Sequence, residues 1–285
     1  MIKQEKSWRI HGQHLAGLYW NNTRSNRKSN KIIALHGWLD NAASFHRLAP
    51  LLKDCEVIAL DLPGHGLSDH RSADASYHIW DDLPDIIGVA DQQGWDEFVL
   101  LGHSRGAIVS VLLASAMPDR ISHLLLLDAF RPAAIEYSET SQQLRKFILD
   151  KNKYLYRPHK IIASIEEAIE RRCRISKMSA EIARPIVERN LVKGSAGFRW
   201  ITDPRLNGAS AFKLTSEHIS SVFTSLNRPC RLIIAEQGLG SDSIMVGAND
   251  YSKIIASVLP GNHHFHLEAA ADEIAKIFKD FLIRI

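Results

Sequence analysis

Residues 102–106 read GHSRG, the G-x-S-x-G spacing in which a serine hydroxyl can act as a nucleophile. The apolar run 98–101 precedes this motif, and a helix-forming run of small and aliphatic residues, 107–114, follows it. A sharp turn between a strand and a helix strains the serine backbone and holds the hydroxyl where free helix N–H groups favour developing negative charge. The sequence therefore predicts that Ser104 is a catalytic nucleophile rather than part of an ordinary glycine-bounded loop.

A serine nucleophile needs a histidine to accept its proton and a carboxylate to orient that histidine. His263, His264 and His266 follow the last apolar run of the chain. We expect His263 to be the base because it comes first after the strand and turn, with His264 as the alternative and His266 in a packing or hydrogen-bonding role. Three close histidines also suggest a metal site, but no acidic or cysteine partner at ligand spacing is evident, so no metal or cofactor is predicted.

The orienting carboxylate has three candidates. Asp128 ends the four-leucine run 124–127, whereas Glu236 and Asp242 follow the next-to-last apolar run. Each could equally be a surface or capping residue. A carboxylate at the end of a buried strand is costly unless it has a partner, which favours Asp128 as the acid and leaves Asp242 second.

Acyl transfer also needs donors for a developing oxyanion. The backbone N–H of Arg105, directly after the nucleophile, is one predicted donor. The backbone N–H of Trp38 is the other, because Gly37 lets that loop approach a substrate closely.

The elements that must position these residues alternate along the chain. A hairpin is predicted over residues 8–10 and 14–20, and six short apolar runs are predicted strands: 31–35, 57–60, 98–101, 124–127, 232–235 and 254–259. Predicted helices cover residues 45–52, 80–92, 107–116 and 270–283. Apolar strands between helices indicate a mostly parallel sheet covered on both faces, with its ligand site beyond the carboxyl ends of the strands. The polar clusters described above all follow predicted strands.

Residues 132–225 break this rhythm, since they contain no clear strand and are rich in helix formers, at 142–153, 164–176 and 179–191. We expect residues 132–225 to form a helical cap subdomain, and residues 1–131 and 226–285 to form the core. The run RRCR at 171–174 could attract anionic substrates or be a solvated helix face. Phe198, Trp200 and Phe212 could line an apolar pocket or fill the core of this subdomain.

Composition limits the classes of protein. The 285 residues carry a net charge of only +3, which gives no reason to expect binding to nucleic acid or to an anionic membrane surface. Three widely spaced cysteines resemble neither a disulfide framework nor a zinc site. With no apolar leader and no membrane-spanning run, we expect a cytoplasmic protein acting on a small ester-like molecule. The sequence does not indicate its oligomeric state.

Four motifs in this order resemble the α/β-hydrolase superfamily, and in particular its capped serine hydrolases, including esterases, C–C hydrolases and serine hydrolase-like proteins. They are LHGW at 35–38, DLPGHGLS at 61–68, GHSRG at 102–106 and GNHHFHLE at 261–268. The resemblance covers residues 30–131 and 228–285, and it implies an α/β-hydrolase fold with an inserted helical cap. The first motif is similar to the oxyanion loop, and the last resembles a G-x-H-x-x-x-x-E segment that assigns the catalytic histidine to His263. Related dehalogenases and epoxide hydrolases carry aspartate where this chain has Ser104.

One departure concerns the acid. Most relatives carry it two residues after a glutamate, in a G-E-x-D pattern, where this chain has Gly238 after Glu236. Some members take the acid from the strand after the elbow helix, which matches Asp128. The resemblance implies a serine hydrolase that cleaves a small carboxylic ester or thioester. A C–C bond hydrolase using the same triad, or a non-catalytic ligand-binding protein, are the alternatives.

Overall fold

The computed structural model describes residues 3–23, 29–158 and 160–283. The strands in this part of the chain are β1 (Lys3–Ile10), β2 (Gln13–Asn21), β3 (Asn30–Leu35), β4 (Cys55–Leu60), β5 (Phe98–His103), β6 (Ile121–Leu127), β7 (Ile161–Ile162), β8 (Leu191–Gly194), β9 (Gly197–Trp200), β10 (Cys230–Gln237) and β11 (Ile254–Asn262). The α-helices are α1 (Asp82–Gln92), α2 (Arg105–Ala116), α3 (Thr140–Leu155), α4 (Ile165–Ser176), α5 (Ala180–Glu188), α6 (Ser216–Ser225), α7 (Ser241–Asn249) and α8 (Ala271–Ile283).

Eight of these strands form one sheet in the order β1-β2-β4-β3-β5-β6-β10-β11. β1 and β2 pair antiparallel, β2 joins β4 antiparallel, and every pairing from β4 to β11 is parallel. The predicted hairpin and all six predicted strands are present, so the expected mostly parallel sheet is confirmed. Because β3, β5, β6 and β10 are consecutive in the sheet, their carboxyl ends meet at one edge.

Both faces of the sheet are buried, because successive side chains along each strand point in opposite directions. Along β3, Ile32 and Ala34 join one hydrophobic cluster, whereas Ile33 and Leu35 join the other. Side chains of α8 cover the first face, and side chains of α1, α2, α6 and α7 cover the second. This two-sided burial explains why the strands read as continuous apolar runs in the sequence.

The expected helices at 80–92, 107–116 and 270–283 correspond to α1, α2 and α8. The helix expected at 45–52 is wrong, since the chain there forms two short 3₁₀ turns, Ala42–Phe45 and Ala49–Leu51. Pro50 lies inside that run and lacks the backbone N–H that a continuous helix would need. α7 was not expected; it begins after Gly240, whose left-handed backbone turns the chain into the helix.

We refer to residues 132–225, which lie between β6 and β10, as the inserted segment. Three of its helices, α3 to α5, match the expected helical runs, but β7, β9 and β8 also form a small antiparallel sheet that was not expected. These strands are two to four residues long, which is too short for a periodic pattern. α6 packs Ile219 and Phe223 into the cluster beneath α2 and α7. Within the described ranges, no helix has the length and apolar character needed to cross a membrane.

Candidate active site

Ser104 lies at the turn between β5 and α2 with φ 53° and ψ −118°, a backbone conformation that residues other than glycine rarely adopt. Its N–H donates to the carbonyl of Leu127 at 3.0 Å, which ties the turn to β6. The helix α2 packs so closely against the sheet that a Cβ at Gly106 would collide with the carbonyl oxygen of Leu35. The strand, strained turn and helix expected around Ser104 are therefore all present.

Asp128 and His263 form a close polar contact at this edge of the sheet. Nδ1 of His263 lies 2.6 Å from Oδ2 of the buried Asp128 carboxylate. The same carboxylate accepts backbone hydrogen bonds from Ala235 at 2.9 Å and Leu239 at 3.3 Å, so its orientation is fixed. With Nδ1 facing a carboxylate, the neutral ring carries its proton there and leaves the Nε2 lone pair to act as a base.

The other two carboxylates expected as alternatives are not brought to this histidine. Asp242 lies exposed in the first turn of α7, and Glu236 is exposed near the end of β10. Neither belongs to the hydrogen bonds or ion pairs that His263 makes within the described part of the chain.

His103, the residue before Ser104, holds the loop that carries His263. Its Nε2–H donates to the backbone carbonyl of His263 at 2.8 Å, and the two ring centroids are 4.6 Å apart. Farther along the loop, the amide nitrogen Nδ2 of Asn262 donates to Glu268 at 3.1 Å. These contacts fix the histidine loop against the nucleophile turn. In the sequence, His103 is recognisable only as the variable position before the serine of the G-x-S-x-G motif.

Trp38 and Arg105, the expected oxyanion donors, line one cavity of about 450 Å³ together with Tyr77, Trp80 and Phe212. We call it the aromatic cavity. The indole Nε1–H of Trp38 donates to the carbonyl of Leu206 in the inserted segment at 3.0 Å. The wall of this cavity therefore combines Trp38 and Arg105 of the core with residues of the inserted segment, among them Leu206 and Phe212.

A buried polar cluster beside this site was missed by sequence reasoning. Asp40 pairs with Arg172 of the inserted segment and lies 3.4 Å from His264 Nε2 and 3.8 Å from His103 Nδ1. Burial opposes ionisation of Asp40, but the Arg172 guanidinium and the two histidines hold the pKa of this carboxyl well below its usual range. The sequence contains no signal for this pairing, because Asp40 and Arg172 are 132 positions apart.

Asp40, His103 and His264 could also supply three metal ligands, since their ligand atoms lie within 4.8 Å of one another. A fixed cation already faces the carboxylate, however, because Arg172 pairs with Oδ1 of Asp40. This arrangement is an ion pair surrounded by histidines.

The polar side chains of the turn at 61–68 make structural contacts with neighbouring loops. The buried carboxylate of Asp61 accepts from the backbone N–H of Ala42 at 2.7 Å and of Leu67 at 2.9 Å, and it pairs with Arg189 of the inserted segment at 2.9 Å. His65 accepts from the backbone N–H of Leu39 at 3.3 Å, and burial lowers its pKa well below the usual value. Both side chains thus brace the loop that carries Trp38.

Comparison with known proteins supports a relation over nearly the whole chain. A protein family described as alpha/beta hydrolase fold matches residues 30–160. A serine hydrolase-like protein of Dictyostelium discoideum is 28% identical over 263 residues, covering 84% of this chain and 71% of the relative. A serine hydrolase-like protein of Danio rerio is 27% identical over 265 residues, covering 88% and 81%.

Two solved structures match over almost the full length of this chain. A hypothetical protein from Pseudomonas aeruginosa has a TM-score of 0.92 and 37% sequence identity, covering 98% of this chain and 99% of that one. The thioesterase domain from the curacin biosynthetic pathway has a TM-score of 0.82 at 22% identity, covering 98% and 100%. The second likeness concerns the fold alone.

Proposed function

The chain belongs to the α/β-hydrolase superfamily, among its serine hydrolase-like proteins, and on this premise we propose that it cleaves a small carboxylic ester or thioester through an acyl-enzyme on Ser104. The observation that carries this proposal is the 2.6 Å contact between His263 and Asp128 beside the strained serine turn. An orienting carboxylate, a histidine with an available Nε2 and a serine at a helix start are the three parts that serine acyl transfer requires.

In the proposed reaction, Nε2 of His263 accepts the Ser104 hydroxyl proton as the oxygen attacks the substrate carbonyl carbon. Asp128 stabilises the imidazolium that forms and keeps its ring in place. The backbone N–H groups of Trp38 and Arg105 hold the oxyanion. Donors of this kind are each worth about 3–4 kcal/mol of transition-state stabilisation.

Collapse of the tetrahedral intermediate breaks the bond to the leaving group, which takes the proton from His263. A water molecule, deprotonated by the same histidine, then attacks the acyl-enzyme and releases the acid and the free serine. In this proposal the inserted segment is the cap that limits water access to the aromatic cavity. Its contacts with the loop carrying Trp38 support that role.

The test is labelling with a fluorophosphonate probe, read by intact mass and peptide mapping. We expect one adduct, on Ser104, and loss of both the adduct and p-nitrophenyl acetate hydrolysis in Ser104→Ala. Far-UV circular dichroism should show that this variant is folded. No adduct on folded wild-type protein would overturn the proposal in favour of a non-catalytic ligand-binding protein.

The same triad would also serve C–C bond cleavage, so the substrate panel should pair simple esters and thioesters with 1,3-diketones. Turnover of the diketones alone would replace the ester and thioester class with the C–C class. The nucleophile and base would keep their roles in that case.

A further inference from the structure

A second cavity of about 440 Å³ lies mainly within the inserted segment. Four basic residues, Arg157, Lys160, Arg171 and Arg172, contribute to its wall. We call it the basic cavity. Apolar side chains, among them Ile186, Val187 and Trp200, form much of the remaining wall. A cavity that combines apolar walls with clustered cations suits an anionic organic molecule better than a neutral one.

The charges of these four residues are only partly balanced. Arg171 pairs with Glu167 at 2.5 Å, and Arg172 pairs with the buried Asp40. Neither Arg157 nor Lys160 has a carboxylate within 4.0 Å among the residues that the structure describes.

The acidic residue of the cavity lining does not offset these two cations. Asp203 is buried and is held by Arg205 at 2.7 Å and by the hydroxyl of Tyr77 at 2.7 Å. Arg157 and Lys160 therefore keep two positive charges that no carboxylate of the cavity lining balances. Together they would neutralise the charge of about −1.5 to −2 on a phosphate monoester at neutral pH.

The basic cavity adjoins the aromatic cavity at the loop that carries the proposed oxyanion donor. Trp38 lines the aromatic cavity, the next residue, Leu39, lines the basic cavity, and Asn207 lines both. In a substrate whose carbonyl oxygen accepts from the Trp38 N–H, the carbonyl carbon carries two substituents, the acyl chain and the leaving group. These two substituents must point in different directions from the carbon.

The two cavities differ in the chemistry that they offer those substituents. The aromatic cavity presents Trp80 and Phe212, with Lys146 and Lys213 offset in part by Asp150. The guanidinium of its Arg105 is already paired with Asp82 at 2.7 Å. The larger surplus of positive charge thus lies in the basic cavity.

We propose that the basic cavity binds a phosphate-bearing leaving group, so that the substrates are acyl esters or thioesters of a phosphorylated alcohol or thiol whose acyl chain occupies the aromatic cavity. This inference rests on the proposed hydrolase function. Arg157 and Lys160 act as specificity-determining residues: they attract and hold the phosphate and take no part in bond breaking.

The experiment compares two thioesters with the same acyl group, acetyl-coenzyme A and the acetyl thioester of N-acetylcysteamine, which lacks the phosphates. In Arg157→Ala/Lys160→Ala we expect kcat/KM to fall at least about tenfold for the coenzyme A thioester and less than about twofold for the short thioester. Raising the salt concentration should weaken turnover of the coenzyme A thioester in wild type and have less effect in the variant.

The matched control is Arg145→Ala/Lys193→Ala, which removes one arginine and one lysine from exposed positions of the inserted segment outside both cavities. It should change kcat/KM for either thioester by less than about twofold. An equal loss for both thioesters in Arg157→Ala/Lys160→Ala, or no loss for the coenzyme A thioester, would overturn the inference.

Failure of the hydrolase function is recognised separately, by absence of fluorophosphonate labelling at Ser104 together with no turnover of either thioester. In that case calorimetric titration with coenzyme A still tests the cavity. Binding to wild type that is lost in Arg157→Ala/Lys160→Ala would support phosphate recognition. Absent or unchanged binding would overturn it.

Discussion

The Asp128 carboxylate occupies the space that a side chain at Gly238 would need. A Cβ built on Gly238 would lie only 2.3–2.6 Å from the three carboxyl atoms of Asp128, which is a severe steric overlap. The backbone of Gly238 is outside the left-handed region, so the obstacle is the carboxylate rather than backbone strain. An acid at position 238 and an acid at position 128 are therefore alternatives for the same place beside His263.

Because acids at positions 128 and 238 exclude each other, we predict that the catalytic carboxylate can be moved from residue 128 to residue 238. Asp128→Ala should lower kcat by about 10³-fold or more, because His263 loses the partner that fixes its tautomer. Adding Gly238→Asp should recover at least about tenfold, since the new carboxylate enters the vacated space. Gly238→Asp alone should lose activity through steric and charge conflict with Asp128. Steady-state hydrolysis of p-nitrophenyl acetate measures all three variants.

Asp242→Asn is the matched control for this series, because it removes an exposed carboxylate from the neighbouring helix. It should retain activity within about twofold. Full activity in Asp128→Ala combined with a large loss in Asp242→Asn would show that the acid has been assigned to the wrong residue.

The strained backbone of Ser104 predicts a cost in stability. Its φ of 53° and ψ of −118° suit glycine far better than a residue with a Cβ, at a penalty of about 1–3 kcal/mol. Ser104→Gly should therefore raise the free energy of unfolding by about 1 kcal/mol relative to Ser104→Ala, although both variants lack the nucleophile. Urea denaturation of the two variants measures the difference. Equal stabilities would mean that the turn stores no strain.

Much of the site could be predicted from the sequence because its parts follow buried strands directly. The leucines before Asp128 make that carboxylate the end of a central strand, and the GHSRG turn follows the adjacent strand. Parallel strands bring such ends to one edge, so sequence position translates into spatial proximity. Sequence position alone therefore predicts Ser104, His263 and Asp128 as the candidate triad.

The remaining parts depend on contacts between distant segments. Nothing local to Asp40 or Asp61 indicates that Arg172 and Arg189 of the inserted segment will neutralise them. The short strands of the inserted segment pair with one another over a few residues, which leaves no periodic signal in the sequence. Tertiary packing decides both features.

The pairing of Asp40 with Arg172 predicts strong coupling between these positions. Arg172→Met should lower the free energy of unfolding by about 3–5 kcal/mol, because it leaves a buried carboxylate without its cation. Asp40→Asn combined with Arg172→Met should cost much less than the sum of the single changes. A double-mutant cycle by urea denaturation gives the coupling energy. Additive single effects would mean that the pair contributes nothing specific.

Because two histidines are buried in uncharged form, we expect the free energy of unfolding to fall in mildly acidic solution. His266 is fully buried, and within the described residues neither ring nitrogen has a hydrogen-bond partner. Burial, reinforced by the neighbouring histidines, lowers the pKa of His266 well below the usual value, and burial likewise lowers the pKa of His103. In the unfolded chain both rings would titrate near pH 6.5.

Below about pH 6.5 and above the folded-state pKa, the unfolded state binds the additional proton, so the free energy of unfolding falls with a slope that approaches about 1.4 kcal/mol per pH unit for each such histidine. At higher pH both states are neutral and stability is unaffected by these rings. Replacing His266 by Phe, which does not titrate, should reduce the loss of stability between pH 6.5 and 5.5 by about 1 kcal/mol. Urea denaturation at pH 7.5, 6.5 and 5.5 measures it. A substitution that only disturbs packing would lower stability equally at every pH, and an unchanged slope in His266→Phe would exclude this histidine as the source of acid sensitivity.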